Sequence, residues 1–359
     1  MRGGASHGWG SHEEHGVRTA DVTRLVPADA VSDVWPPLEE RAEELLDEAT
    51  EPGHRPVGPP EARAEGVVVL PGGRSLGYAE YGVPDGDVVL WFHGTPGARQ
   101  QVPPDINEHA DRLGFRVIGI ERPGTGLSTP HRYGKVVDWA ADVELAADRL
   151  GIGRFAAVGL SGGGPFVLAV CHELGDRVVA GAVLGGMGPT RGSDRAPGIT
   201  RLLPRFEPIL AVSQLLAGEL LTHVVRPLCR FGSPGFDLYA RVAPASDRTV
   251  MRVPEMKAMF LHDIISAAQG GLRAPLSDLV LFARHWGFSL GDIGVPVKFW
   301  NGDADGVVPL SHGEVQAGLV PGAELVVCPG GGHFAGFLLA PDVLGWIADT
   351  WLERAAAPA

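Results

Sequence analysis

Residues 154–175 read RFAAVGLSGGGPFVLAVCHELG. A short apolar run, Phe155 to Leu160, passes through Ser161-Gly162-Gly163-Gly164 into a second apolar stretch with helical spacing. The first run has the length and unalternating character of a strand buried on both faces, and the second that of a helix packed against it. Such a turn brings the two backbones almost into contact, so its flanks must be small. Gly159, Gly162 and Gly163 meet that demand and leave Ser161 exposed on a strained corner.

The same alternation runs through most of the chain. GVVVLPGG and SLGYAEYG read as two short strands joined by a Gly-Gly turn. DVVLWFHG and FRVIGIERPG are strands separated by a helix that closes at ADRLG, and VVDWAADVELAADRLGI is a helix stopped at Gly151. VVAGAVLGG, PVKFWNGD and ELVVCPGGGH continue the strands, and a helix near APDVLGWIADTWLERA closes the chain. Strands alternating with helices predict an α/β fold with a mostly parallel, doubly wound sheet. Its core is expected over residues 66–188 and 292–359.

Residues 189–291 break the rhythm with helical stretches such as ITRLLPRFEPILAVSQLLAGELLTHVVRPL. They are expected to form a helical lid over the C-terminal ends of the strands, where open α/β sheets bind ligands. Leu202, Phe206, Leu215 and Phe260 supply its apolar character, either as pocket lining or as the lid's own core.

Residues 1–65 read as an extension outside the domain, with fourteen Asp/Glu against six Arg. The Pro/Gly/Glu-rich stretch EPGHRPVGPPEARAEG cannot bury enough apolar surface to order itself. PLEERAEELLDEAT has the pattern of a short amphipathic helix that docks on the domain or on a protein partner yet to be identified. His7, His12 and His15 lack the regular spacing of a metal site.

The formal net charge of −13 opposes binding to nucleic acid or anionic membranes. Cys171, Cys229 and Cys328 are too few and too scattered for a disulfide framework and read as free thiols in a reducing compartment. No stretch approaches a membrane span, and the N-terminus carries no apolar core of the length a signal peptide needs. A cytoplasmic location is the expectation.

A serine hydroxyl needs a base, and the base needs an orienting acid. His333 follows the strand ELVVC on a Gly-rich loop, and Asp305 follows the strand VKFW. With Ser161 they would emerge on one edge of the sheet, in the chain order nucleophile, acid, base. His333 would take the Ser161 proton and later donate it to the leaving group, while Asp305 holds the imidazole tautomer. Asp303 competes with Asp305 as the acid or serves as a turn residue. The loop His93-Gly94-Thr95-Pro96-Gly97 follows the strand VVLWF. The backbone N–H groups of Thr95 and Gly162 are the candidate oxyanion donors, since Pro96 has none.

These motifs together resemble the α/β-hydrolase superfamily: HGTPG its oxyanion loop, GLSGGG its nucleophile elbow, and ERPGTGLS its DRPGxGxS loop with Glu121 in place of Asp. GDADGVVP resembles its GxxDxxVP acid motif, which favours Asp305, three residues after Gly302, over Asp303. The resemblance implies the α/β-hydrolase fold and a Ser-Asp-His triad that works without cofactor or metal. HGTPG and GLSGG depart from the HGGPG and GGSWG usual in proline-iminopeptidase-like members, which weakens an aminopeptidase reading, although the acidic residues of the lid could bind an amine. Epoxide hydrolases and haloalkane dehalogenases need an Asp where this chain has Ser161.

The expected function is therefore hydrolysis of an ester or related acyl bond in a small to medium apolar substrate, a carboxylesterase-like activity. A prolyl-aminopeptidase-like peptidase, a thioesterase or a carbon–carbon hydrolase shares the same apparatus. A ligand receptor or interaction protein is the alternative from another class, because fold does not fix function.

Overall fold

The computed structural model describes residues 58–213, 243–269 and 273–356, with positions 41, 43, 44, 46 and 47 of the N-terminal segment. His7, His12, His15, Leu215 and Cys229 lie outside the described residues. In chain order the main elements are β1 (Ala64–Val69), β2 (Ser75–Gly82), β3 (Asp87–Phe92), α1 (Ile106–Leu113), β4 (Phe115–Ile120) and α2 (Trp139–Arg149). Then come β5 (Phe155–Leu160), α3 (Gly164–Glu173), β6 (Val178–Leu184), α4 (Ala245–Val250), α5 (Pro254–Gln269) and α6 (Arg273–Phe282). The chain closes with β7 (Val297–Gly302), α7 (Ser311–Leu319), β8 (Glu324–Cys328), the short α8 (Ala335–Leu338) and α9 (Ala340–Ala356).

Eight strands make one sheet in the order β1-β2-β4-β3-β5-β6-β7-β8. β1 and β2 pair antiparallel with their neighbours, and every pair from β4 onward is parallel. The first strand begins at Ala64, two residues before the predicted Gly66, because Ala64 and Glu65 already pair with Glu80 and Ala79.

Alternate residues of each strand feed two separate cores, as the period of two requires. Leu90 and Phe92 of β3 join the core beneath α2 and α3, where Trp139 meets Phe92 and Phe166 edge-on at 5.6 and 6.0 Å. Val89 and Trp91 join the opposite core, together with Ile106 and Ala110 of α1 and Val343, Leu344 and Ile347 of α9. Leu46 packs against this second core, and Arg41 meets Asp342 of α9 at 2.9 Å, so part of the acidic N-terminal segment is anchored on the domain.

β3 sits between β4 and β5, so the strand order reverses at β3 and opens a crevice at the C-terminal ends of β3 and β5. Phe92 pairs with Gly159 across it, which places the loop after β3 beside the turn after β5. Between β6 and β7 the described residues contain no strand: residues 203–213, α4, α5 and α6 form a helical cap. Leu202 and Phe206 are exposed there at 39% and 52%, and of the described apolar candidates Phe260 lines the pocket that opens at Ser161.

Candidate active site

Ser161 is the one non-glycine residue with positive φ (53°) among the described residues. L-residues avoid this region because Cβ crowds the backbone, so packing on both sides must hold it. At Gly159 an added Cβ would lie 2.7 Å from the carbonyl of Gly163, and at Gly162 it would lie 2.4 Å from Thr95 Oγ1. The glycines therefore permit two contacts at once: strand against helix, and elbow against the loop after β3.

The structure brings Ser161, His333 and Asp305 into one chain of hydrogen bonds. His333 Nδ1 is 2.7 Å from Asp305 Oδ2, and His333 Nε2 is 2.9 Å from Ser161 Oγ. With Nδ1–H donated to Asp305, Nε2 is left as the acceptor for the serine hydroxyl. The other Asp305 oxygen accepts the N–H groups of Val307 and Val308 at 2.7 and 2.8 Å, which fixes the carboxylate's orientation. Asp305 and His333 are 6% and 8% exposed, so the pair lies largely out of water. Asp303 is exposed and accepts the N–H of Gly330 at 2.7 Å. It tethers the loop that carries His333 and does not touch the imidazole.

Two N–H groups of the stretch after β3 are held by side chains. Gly94 N–H goes to Gln101 Oε1, Ala98 N–H goes to both oxygens of Asp263, and Pro96 has no N–H. Thr95 stands against the elbow, its backbone nitrogen 3.2 Å from where a Cβ on Gly162 would lie. Gly162 lies in the first turn after β5, where helical N–H groups have no intrahelical acceptor.

His93 is buried and stays neutral: burial, then the charge of Arg122, hold its pKa well below the ordinary value. Its Nε2 accepts the backbone N–H of Arg122 at 3.1 Å, which ties this loop to the one after β4. Glu121, in the position where the resembling motif has Asp, is fully buried, binds Arg99 and accepts the N–H of Leu127. Cys171 and Cys328 are buried, and burial pushes both thiols up to about 12, which leaves them inert.

A pocket of about 320 Å³ opens at Ser161, and Pro96, Leu160, Phe260, Ile264, Val307 and Phe334 make its surface mainly apolar. No carboxylate is among the described residues that line it.

Sequence reasoning treated the lid's acids only as possible amine binders and missed the loops they hold. Asp247 of α4 accepts the N–H groups of His333 and Phe334, Asp263 of α5 accepts that of Ala98, and Asp278 of α6 accepts the hydroxyl of Thr95. Their signal was an acid inside apolar helical sequence, as in FLHDII and SDLVLF.

Known proteins place this geometry in a family. Residues 87–338 match the model of the alpha/beta hydrolase fold. A proline iminopeptidase from Neisseria meningitidis is 33% identical over 135 residues, which are 35% of this chain and 43% of that protein. The chain thus spans less than half the length of these relatives. A bifunctional esterase/perhydrolase from Acinetobacter calcoaceticus is 26% identical over 75% of this chain and 92% of its own. A thermophilic esterase from Thermogutta terrifontis superposes with a TM-score of 0.57 over 82% of this chain and all of its own, at 18% identity. With most of its sheet, its elbow and its histidine loop inside the matched range, the chain belongs to the α/β-hydrolase fold family.

Proposed function

We propose that the protein is a serine hydrolase that cleaves an ester, or a related acyl bond, of a small to medium apolar substrate through an acyl-enzyme on Ser161. The observation that carries this reading is the continuous hydrogen-bond chain Ser161–His333–Asp305.

The chemistry follows from the proton positions. Ser161 Oγ attacks the acyl carbon while its proton passes to His333 Nε2, and the imidazolium is stabilised by Asp305. The carbonyl oxygen gains charge against the N–H groups of Thr95 and Gly162, each worth about 2.7–4 kcal/mol in comparable sites. Collapse expels the alcohol, which takes the proton from Nε2. Water then gives its proton to Nε2 and attacks the acyl-enzyme, and the acid leaves as Ser161 regains its proton.

The pocket supports an ester over an N-terminal peptide. A free α-amino group needs an acceptor or a carboxylate when it leaves water, and no acid lines the described pocket. The similarity to proline iminopeptidases keeps a peptidase as the second reading.

Hydrolysis of p-nitrophenyl butyrate and of proline p-nitroanilide separates the two. The ester reading expects kcat/KM for the butyrate to exceed that for the anilide by at least about 100-fold. A preference for the anilide would reverse the assignment. Hydrolysis of neither, by protein that is folded, would favour a ligand receptor on this fold.

A further inference from the structure

The loop after β3 has almost no hydrogen bonds of its own, and it is gripped from both sides by side chains that lead to the cap. On one side stands Arg122, whose side chain is 3% exposed. Its Nη1 donates to the carbonyl of His93 at 2.6 Å, and its Nη2 donates to the carbonyl of Gly94 at 2.7 Å and to Thr95 Oγ1 at 2.9 Å. The same guanidinium donates from Nε and Nη2 to Asp278 Oδ2 on α6, at 3.0 and 2.7 Å. Thr95 Oγ1 donates to that oxygen as well, at 2.7 Å. On the other side Asp263 of α5 accepts Ala98 N–H and Gln101 Nε2, each at 3.0 Å. Gln101 in turn accepts the N–H of Gly94.

An oxyanion donor acts only if it already points at the developing charge, and a displacement of about 1 Å costs on the order of 100-fold in rate. Thr95 is the donor this loop offers, and its hydroxyl closes a three-membered knot with Arg122 and Asp278. A buried ion pair is a poor device for stability alone, since apolar packing serves as well. Here its hydrogen bonds converge on two carbonyls and one hydroxyl of the same short loop.

We propose that Asp278, with Asp263 as its counterpart across the loop, is a positioning residue for the oxyanion donor Thr95. The core carries the nucleophile, acid and base, and the cap completes the oxyanion hole. Loosening the cap then lowers the chemical step itself and does more than widen the entrance. The inference rests on the reading of Ser161 as a nucleophile and of Thr95 as a donor.

The test uses the full chain and three variants: Asp278→Asn, Thr95→Val and Thr95→Ser. For each, kcat and KM on p-nitrophenyl butyrate are expressed per site titrated by a fluorophosphonate, which removes loss of folded protein from the comparison. Inhibition by phenylboronic acid is measured alongside, because its tetrahedral serine adduct places an oxygen in the hole. Asp278→Asn and Thr95→Val are expected to lower kcat by about 10–100-fold with KM within about twofold, and to raise the boronate Ki in proportion. Thr95→Ser keeps the hydroxyl and is expected to recover most of the kcat and boronate affinity that Thr95→Val loses. A kcat per titrated site and a boronate Ki within about twofold of wild type in both Asp278→Asn and Thr95→Val would overturn the inference while leaving Ser161 standing. Wild type that neither binds the boronate nor reacts with the fluorophosphonate would overturn the Ser161 reading, and this inference with it.

Discussion

Asp247, on the six-residue helix α4 of the cap, accepts the backbone N–H of His333 at 2.9 Å although 86 residues separate them. Its other oxygen accepts the N–H of Phe334 at 2.8 Å, and Ser246 Oγ accepts that of Gly332 at 2.8 Å. The loop that carries the imidazole is therefore fastened to the cap by three consecutive N–H groups. Asp247→Ala strands two of them in a buried setting. It is expected to lower stability by about 1–3 kcal/mol per group and to reduce kcat with it. Asp247→Asn keeps one oxygen acceptor and is expected to lose less. Urea unfolding and ester turnover on the same preparations check both.

Asp305 and Asp303 lie two residues apart in one turn but have separate tasks. Asp305→Asn is expected to lower kcat by about 10⁴-fold, because an amide cannot hold the imidazole in the tautomer that accepts from Ser161. Asp303→Asn retains the oxygen that accepts from Gly330 and is expected to stay within about threefold of wild type. Steady-state kinetics of the two variants decide between them; equal losses would remove the distinction.

Asp263 predicts a pH dependence of stability. Burial pushes its carboxyl from the usual 3.8 up to about 8, with Glu121 pushing the same way and the N–H of Ala98, Gln101 and Arg99 opposing. In the folded protein the group holds its proton over a range where the unfolded chain has released it. Its contribution to stability is complete below 3.8 and is lost as pH rises toward about 8. The urea midpoint of wild type is expected to fall between about pH 5 and pH 8, and Asp263→Asn to flatten that fall.

Ile264 lines the pocket from α5 and is only half-buried, so its replacement perturbs the pocket more than the fold. Ile264→Ala is expected to shift the best p-nitrophenyl ester toward a longer acyl chain, and Ile264→Phe toward acetate. Each methylene gained or refused is worth about 10–200-fold in kcat/KM. A chain-length series from acetate to octanoate reads the shift directly.

The sheet was legible because its signals are local. Apolar runs of strand length, glycines after them and helical spacing between them all sit within a few residues of what they specify, as at Phe155 to Gly164. The order Ser161, Asp305, His333 was legible because each follows a strand, and parallel strands deliver their ends to one edge. What the cap does was not. Asp278 meets Thr95 across 183 positions and Asp263 meets Ala98 across 165, and nothing near either acid announces its partner. The same distance hid Arg41 on Asp342, 301 positions away. Composition could not place Leu202 and Phe206, which are exposed and lie outside the lining of the pocket at Ser161.

The most direct measurement is covalent labelling of the full chain by a fluorophosphonate, read by peptide mass spectrometry. One adduct is expected, on Ser161, formed by wild type and absent in Ser161→Ala, with the rate falling sharply in His333→Ala. Folded wild-type protein that takes up no label, or takes it up on another serine, would contradict it.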